Sequence, residues 1–169
     1  MKAVTEMSNG DWRPFVNLTL NGDAQKNAGD FFEYLAAGGL QLERGGGYWA
    51  DKLYWMVKYE NTYICFVLID DGSDKTEPEG WVVWTDEWDF SSPEALSLDA
   101  HTKETAWRHI DICGKCGGCS SPGGSRKTVL GKAFDNVCIT TFRFDNPDAE
   151  TVACIKRLVE LRKRSKNPE

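Results

Sequence analysis

Three apolar runs separated by short polar links constrain the fold of this chain most. They are Leu53 to Tyr59, Thr62 to Ile69 and Gly80 to Thr85, and all three are rich in aromatic and β-branched residues. Only Glu60 and Asn61 separate the first two runs, which is the length of a β-hairpin connection. Sequential strands with short links are most simply antiparallel neighbours. The pattern therefore predicts an antiparallel β-meander at the centre of the fold.

The segment before the meander is predicted to contribute little regular structure. Residues 1–26 are polar and weakly periodic, and two glycines and a proline interrupt them. They predict an N-terminal arm with one short strand at Phe15 to Leu20. A short helix capped by Asn27 or Asp30 is expected to follow and to end at Gly38.

The segment after the meander predicts two helices and one strand. The expected helices run from about Leu98 to His109 and over Asp148 to Arg164, the second with Asn146 as its cap, and Val137 to Phe144 alternates as a strand. No change of composition marks a second domain, so residues 1–169 are expected to form one. The predicted fold class is α+β: an antiparallel β-sheet of four to five strands with two main helices packed on one face.

The overall composition excludes several classes of protein. Hydrophobic residues make up 41% of the chain, and the net charge of −6 at pH 7 argues against nucleic-acid binding. No apolar run reaches the roughly 18–20 residues that span a bilayer, so no membrane association is expected. Residues 1–10 show no basic region followed by an apolar stretch, so a cytoplasmic location is expected. Thiols stay reduced in that compartment.

Three closely spaced cysteines form the pattern C-x2-C-x2-C: Cys113, Cys116 and Cys119. Two-residue spacing lets consecutive thiolates converge on one metal ion, and the intervening glycines permit the turns that this requires. A tetrahedral zinc site needs a fourth ligand, for which Cys138 is the first candidate and His109 the second. Zinc is therefore the predicted cofactor, and residues 113–133 are predicted to form a Cys/Gly-rich metal-binding loop.

The same cysteines allow three other interpretations. An iron–sulfur cluster uses Cys at two-residue spacing, but here the fourth Cys is remote and no Pro follows it. Cys113 and Cys116 are also a C-x-x-C pair, which a thiol-based redox or metal-sensing protein would use in exchange chemistry. The last interpretation is a loop whose thiols have no chemical role. Cys65 and Cys154 lie in apolar runs and are predicted to be core residues.

Large aromatic side chains concentrate in the meander and suggest a second kind of site. Such side chains often line a ligand pocket or an interface when they lie outside the core. Four are predicted to line a ligand pocket: Trp55, Tyr63, Trp81 and Trp84. The alternative is ordinary packing beneath helices and loops. No nucleophile stands beside a histidine and no carboxylate pair stands out, so no catalytic residue is predicted.

From Ala106 to Lys163 the chain resembles a group of small bacterial proteins of unknown function. The matching stretches are Cys113-Gly114-Lys115-Cys116 with Cys119, then Val129 to Cys138, and Phe144 to Glu150 with the helix that follows. In that group, Cys residues at the positions of Cys113, Cys116 and Cys138 occur together. The resemblance therefore implies Cys138 rather than His109 as the fourth ligand, and it implies a type of domain without a reaction.

The function expected from the sequence is that of a non-enzymatic, zinc-stabilised module that binds a small molecule or a protein partner. The alternative is a thiol-based redox or metal-sensing protein that uses Cys113, Cys116 and Cys119.

Overall fold

Seven strands form one antiparallel sheet in the computed structural model, which describes residues 10–46, 52–70, 80–85, 88–114 and 123–165. The strand order is β1-β2-β3-β4-β7-β5, and β6 also pairs with β7. The strands are β1 (Gln41–Arg44), β2 (Tyr54–Tyr59), β3 (Thr62–Asp70), β4 (Gly80–Thr85), β5 (Ile110–Ile112), β6 (Ser125–Val129) and β7 (Lys132–Asp145). The predicted meander is confirmed as β2, β3 and β4, which are antiparallel neighbours.

The hairpin between β2 and β3 has the predicted two-residue turn. Glu60 and Asn61 have φ angles of 47° and 63°. Positive φ at both central residues is the type I′ geometry, whose twist matches that of the flanking strands. The Glu60-Asn61 link thus sets the register in which Tyr59 pairs with Thr62.

Five helices accompany the sheet in the described residues: α1 (Arg13–Thr19), α2 (Gly22–Ala37), α3 (Pro93–Leu96), α4 (Ala100–Trp107) and α5 (Ala149–Arg164). None of them is long and apolar enough to cross a bilayer. Buried residues of α1, α2 and α5 form one core with alternate residues of the strands, and α4 packs against α5. The α+β class is confirmed, although the sheet has more strands than expected and α2 is as long as α5. One domain over residues 1–169 stays a prediction.

The N-terminal segment is not an arm over the residues that the structure describes. Phe15 to Leu20 was expected to be a strand, but Arg13–Thr19 is helix α1 and residues 22–26 belong to α2. Four apolar side chains of this segment are buried: Trp12, Phe15, Val16 and Leu20. Their spacing is helical, and the proline in the first turn of α1 costs no hydrogen bond there. A helical period spread over only two turns was too weak to stand out in the sequence.

The N-terminal cap of α5 also differs from the prediction. The side chain of Asp148, not Asn146, caps α5 by accepting a hydrogen bond from the Thr151 amide at 2.8 Å. The Asn146 side chain instead accepts from the Trp81 amide at 2.9 Å, at the start of β4. Asn146 is therefore bonded to β4, and Asp148 is the residue that caps α5.

The predicted loop over residues 113–133 is partly a strand. Ser125–Val129 is β6, and it pairs with β7 through a two-residue turn at Leu130 and Gly131, whose φ angles are 52° and 86°. The Val129 carbonyl accepts a hydrogen bond from the Trp107 indole at 2.9 Å. This pairing orders a segment that has few apolar residues of its own. Residues 115–122 lie outside the described part of the chain.

Candidate functional site

Three segments meet where the cysteine-rich stretch leaves and rejoins the sheet. At the end of β5, the Cys113 amide donates to the Asn136 carbonyl at 2.8 Å, and the Asn136 side chain donates to the Cys113 carbonyl at 2.9 Å. Cys138 lies two residues further along β7. Cys113 is half-buried, Cys138 is buried, and both are free thiols. We call Cys113, Gly124, Asn136 and Cys138 the cysteine corner.

Gly124 closes the cysteine corner from the side of β6. A β-carbon at this position would lie 2.4 Å from the carbonyl carbon and oxygen of Asn136 and 2.8 Å from the β-carbon of Cys113. No side chain fits in that space, because real β-carbons do not approach other atoms so closely. Both ends of the cysteine-rich stretch, Cys113 and Gly124, therefore lie against the same short segment of β7.

The pairing of β7 is interrupted just after the corner. β4 pairs with residues 143–145, β5 pairs with Phe142 and Val137, and β6 pairs with residues between 132 and 137, which leaves residues 138–141 outside these pairings. Thr141 is fully buried and has a φ of 65°, a value that costs a β-branched residue conformational energy. The surrounding contacts must therefore hold this part of β7 in place. We call residues 138–141 the β7 bulge.

Lys127 of β6 supplies those contacts. Its ammonium donates to the carbonyls of Cys138 and Ile139 at 3.0 and 3.1 Å, and to the hydroxyl of Thr141 at 3.1 Å. On the β4 side, the hydroxyl of Thr85 donates to the Thr140 carbonyl. An ammonium has three donors, and all three are used here. The position of Cys138 is thus fixed through its own carbonyl.

Replacing Lys127 by methionine is expected to lower the free energy of unfolding by about 1–2 kcal/mol, because it leaves the bulge carbonyls without their donor. Urea unfolding followed by circular dichroism measures the change. Arg126→Met is the neighbouring control, since the ion pair of Arg126 with Asp135 is exposed and contributes little. Equal stability of the two variants would show that the Lys127 contacts do not support the bulge.

Two of the predicted metal ligands lie in segments that are hydrogen-bonded to each other through Cys113 and Asn136. Cys113 and Cys138 both belong to the cysteine corner, whereas Cys116 and Cys119 lie outside the described residues. Among the described residues, no group of three or more His, Cys, Asp or Glu side chains is arranged to hold a metal ion. The described part of the chain therefore supplies at most half of the predicted ligand set.

His109 lies at the other end of β5 from Cys113. Its ring packs against Phe144, with 4.9 Å between the ring centroids. Burial is the main cause that lowers the pKa of His109, and the nearby Arg108 charge lowers it further, while Asp145 and Asp148 act in the opposite direction. The neutral imidazole is therefore the form that this packing favours.

The lowered pKa of His109 predicts a loss of stability in mild acid. The unfolded chain binds a proton on His109 near its ordinary pKa of about 6.5, whereas the folded chain resists it, so unfolding is favoured as the pH falls below that value. His109→Phe keeps a ring on Phe144 and removes the titration. Its unfolding free energy, measured from pH 7.5 to pH 5, is expected to fall less than that of the unchanged protein. If the unfolding free energies of the two proteins fell equally between pH 7.5 and pH 5, protonation of His109 would not be the cause of the loss.

The four aromatic residues predicted to line a pocket do not share one surface. Trp55 and Trp81 are 1% and 0% exposed in the core beneath the helices, whereas Trp84 belongs to a second cluster on the opposite face of the sheet. Tyr63 is 38% exposed and stacks on Phe66. The four side chains therefore line no single pocket, because Trp81 and Trp84 are three positions apart on a strand whose side chains alternate.

Cys65 and Cys154, which the sequence predicts as core residues, are both buried in the core. Cys65 is 0% exposed in β3 and Cys154 is 4% exposed in α5. Burial raises the pKa of both thiols, and it raises that of Cys154 to about 12. Neither is a candidate for thiolate chemistry or metal binding.

Sequence reasoning missed two residues of this site, Gly124 and Lys127. Neither carries a signal of its own, because a glycine in a Gly/Ser-rich stretch and a lysine on a short strand are ordinary. Their roles depend on β7 lying beside them.

Comparison with protein-family models, with curated proteins and with solved structures finds no match for this chain. The resemblance over Ala106 to Lys163 therefore stays a prediction.

Proposed function

We propose that this protein is a cytoplasmic, zinc-stabilised module without enzymatic activity that binds a small molecule or a protein partner. Cys113, Cys116, Cys119 and Cys138 would hold the zinc ion. The observation that carries the proposal is the pair of hydrogen bonds between Cys113 and Asn136, which joins the start of the C-x2-C-x2-C pattern to the strand that carries Cys138.

The surroundings of the corner suit a cluster of thiolates. Four thiolates on Zn²⁺ leave a net charge of −2. The ammonium of Lys127 is held on the Cys138 carbonyl at 3.0 Å, so a positive charge already lies beside this ligand. A neighbouring cation would offset part of the negative charge of such a cluster.

Zinc would also supply what the cysteine-rich stretch lacks. From Cys113 to Gly124 the sequence has no large apolar side chain with which to form a core. Metal binding at a four-cysteine site contributes on the order of 10 kcal/mol or more, which is ample to order a short segment. The ion would thus tie the stretch between β5 and β6 to β7.

Cys138 is a better fourth ligand than His109 in this geometry. His109 packs on Phe144, whereas Cys113 is bonded to Asn136 at the opposite end of β5. Three residues of β5 separate His109 from Cys113, which places their α-carbons about 13 Å apart in extended chain. Cys138, by contrast, lies two residues after Asn136, the residue to which Cys113 is hydrogen-bonded.

Elemental analysis of freshly purified, tag-free protein tests the proposal. We expect about one zinc ion per chain, as four thiolates fill one tetrahedral site. Cys138→Ser is expected to lose most of the zinc and to unfold at a lower temperature. Cys154→Ser is the matched control, because Cys154 is about as buried as Cys138 yet lies in the helical core. Folded protein without metal would contradict the proposal. Brown protein that contains iron would indicate an iron–sulfur cluster instead.

The half-buried, free thiol of Cys113 favours one second candidate, a thiol-based redox or metal-sensing protein. Alkylation with iodoacetamide separates the two functions. A structural zinc site is expected to protect its thiolates until a chelator is added, whereas a sensing pair reacts at once. Rapid alkylation at Cys113 and Cys116 without a chelator would favour the second candidate.

A further inference from the structure

The guanidinium of Arg44 lies against two aromatic rings, Phe15 and Trp55, at the edge of the sheet. It is the last residue of β1, the terminal strand of the sheet order, and it pairs with Trp55 of β2. Its guanidinium lies 5.1 Å from the ring centre of Phe15 and 5.4 Å from that of Trp55. The side chain is half-buried, and burial lowers the pKa of Arg44.

No oxygen atom of the described residues is in contact with this half-buried charge. Among the described residues, the guanidinium of Arg44 has neither a carboxylate nor a hydrogen-bond acceptor in contact. Of the eight other half-buried basic side chains of the described chain, Lys52 and Arg162 have interaction partners, and the remaining six each have an oxygen partner. They pair as follows: Lys58 with Glu43, Lys103 with the Leu96 carbonyl, Lys127 with the β7 bulge, Arg143 with Asp145, Lys156 with Asp30 and Lys163 with Glu160. Arg44 departs from that pattern.

An unpaired, half-buried guanidinium has free donors in a fixed plane. A partly desolvated cation without an anion is costly, and stacking on rings offsets only part of that cost. Phe15 and Trp55 interact with the cation, whereas its five N–H donors project in the guanidinium plane. This geometry suits the two oxygens of a planar carboxylate, which accept two parallel hydrogen bonds.

We propose that Arg44, with Phe15 and Trp55, is a recognition site for the carboxylate group of a small molecule. A carboxylate balances the single positive charge, whereas a phosphate dianion calls for more cations than Arg44 alone provides. The proposal rests on the binding function proposed above and names its ligand class. It does not depend on the zinc site, because β1 and the β5–β7 pair lie at opposite ends of the sheet order.

Titration of the isotope-labelled protein with sodium benzoate tests this site by ¹H–¹⁵N spectroscopy. We expect saturable shifts of the Arg44 Nε–H and Trp55 indole signals. Benzamide, which has the same shape without the charge, is expected to leave them unchanged. Inorganic phosphate is expected to bind more weakly than benzoate. Arg44→Gln is expected to weaken benzoate binding roughly tenfold or more, because charge-assisted hydrogen bonds are lost.

Arg143→Gln is the matched control. Arg143 also lies over a tryptophan ring, with 5.0 Å to the centre of Trp84, but Asp145 occupies its guanidinium at 2.8 Å. Benzoate affinity is expected to be unchanged in this variant. Equal shifts with benzamide, tighter binding of phosphate, absence of saturation in the unchanged protein, or equal affinity in Arg44→Gln would each overturn the proposal.

A second variant separates loss of binding from poor folding, and the zinc content separates the carboxylate site from the metal site. If Arg44→Gln folds poorly, Arg44→Lys keeps the charge without the planar fork and is expected to bind benzoate more weakly than arginine does. Zinc content is measured on the same samples. Loss of benzoate binding with zinc retained would contradict only this inference, whereas zinc-free protein that still binds benzoate would contradict only the metal site.

Discussion

Trp55→Ala is expected to lower the free energy of unfolding by about 3–5 kcal/mol, the range for removing a buried tryptophan side chain. Trp55 is 1% exposed, and its ring meets Phe15 of α1 at 5.4 Å and Phe32 of α2 at 5.3 Å. The side chain thus joins the first two helices to β2. Urea unfolding followed by circular dichroism at 222 nm measures the loss.

Tyr63→Ala is the control for Trp55→Ala. Tyr63 lies in the next strand and was placed in the same predicted pocket, yet it is 38% exposed. Its loss is expected to cost about 1 kcal/mol or less. If both variants lost similar stability, Trp55 would not be the connection between the N-terminal helices and the sheet. A folded Trp55→Ala protein is also expected to bind benzoate more weakly, because Arg44 loses one of its two rings.

Gly124→Ala is expected to lower the free energy of unfolding by about 2–3 kcal/mol, a typical cost of forcing extra atoms into a packed site. The added methyl group would lie 2.4 Å from backbone atoms of Asn136. Backbone cannot rotate away as a side chain can, so the start of β6 must move off β7. That movement would also displace Cys113, and zinc content is expected to fall with stability.

Gly29→Ala is the control, and it is expected to raise the free energy of unfolding rather than lower it. Gly29 lies within α2, and a β-carbon there would meet no atom within 4 Å. Alanine is the better helix former, so this variant is expected to gain about 0.5–1 kcal/mol and to keep its zinc. A Gly124→Ala protein as stable as Gly29→Ala would show that the corner does not need the close approach at Gly124.

Local pattern was enough to predict the elements whose signals lie within a few neighbouring residues. The β2–β3 hairpin needed only a two-residue polar link between two apolar runs, and α5 needed only its apolar stripe and a polar start. The helix α1 was missed because Trp12, Phe15 and Val16 show a helical period for less than three turns. Only their contacts with α2 and β2 distinguish a buried helix from a loose arm.

Part of the candidate site was predictable from local sequence, and part of it was not. The residue types and spacing predicted Cys113 and Cys138 as metal ligands, and the structure joins the segments that carry them through Asn136. Lys127 had no such signal, because its three acceptors belong to a bulge in a different strand. Arg44 had none either, since a missing partner is visible only when the neighbours are known.

The sequence by itself determined the α+β class, the central meander and the burial of Cys65 and Cys154, because periodicity and hydrophobicity are properties of neighbouring residues. The tertiary structure decided how β5 and β6 lie against β7, where Lys127 is held, and which aromatic residues surround Arg44. Those features arise from contacts between residues far apart in the chain, and their energies depend on burial and on distances that no local pattern encodes.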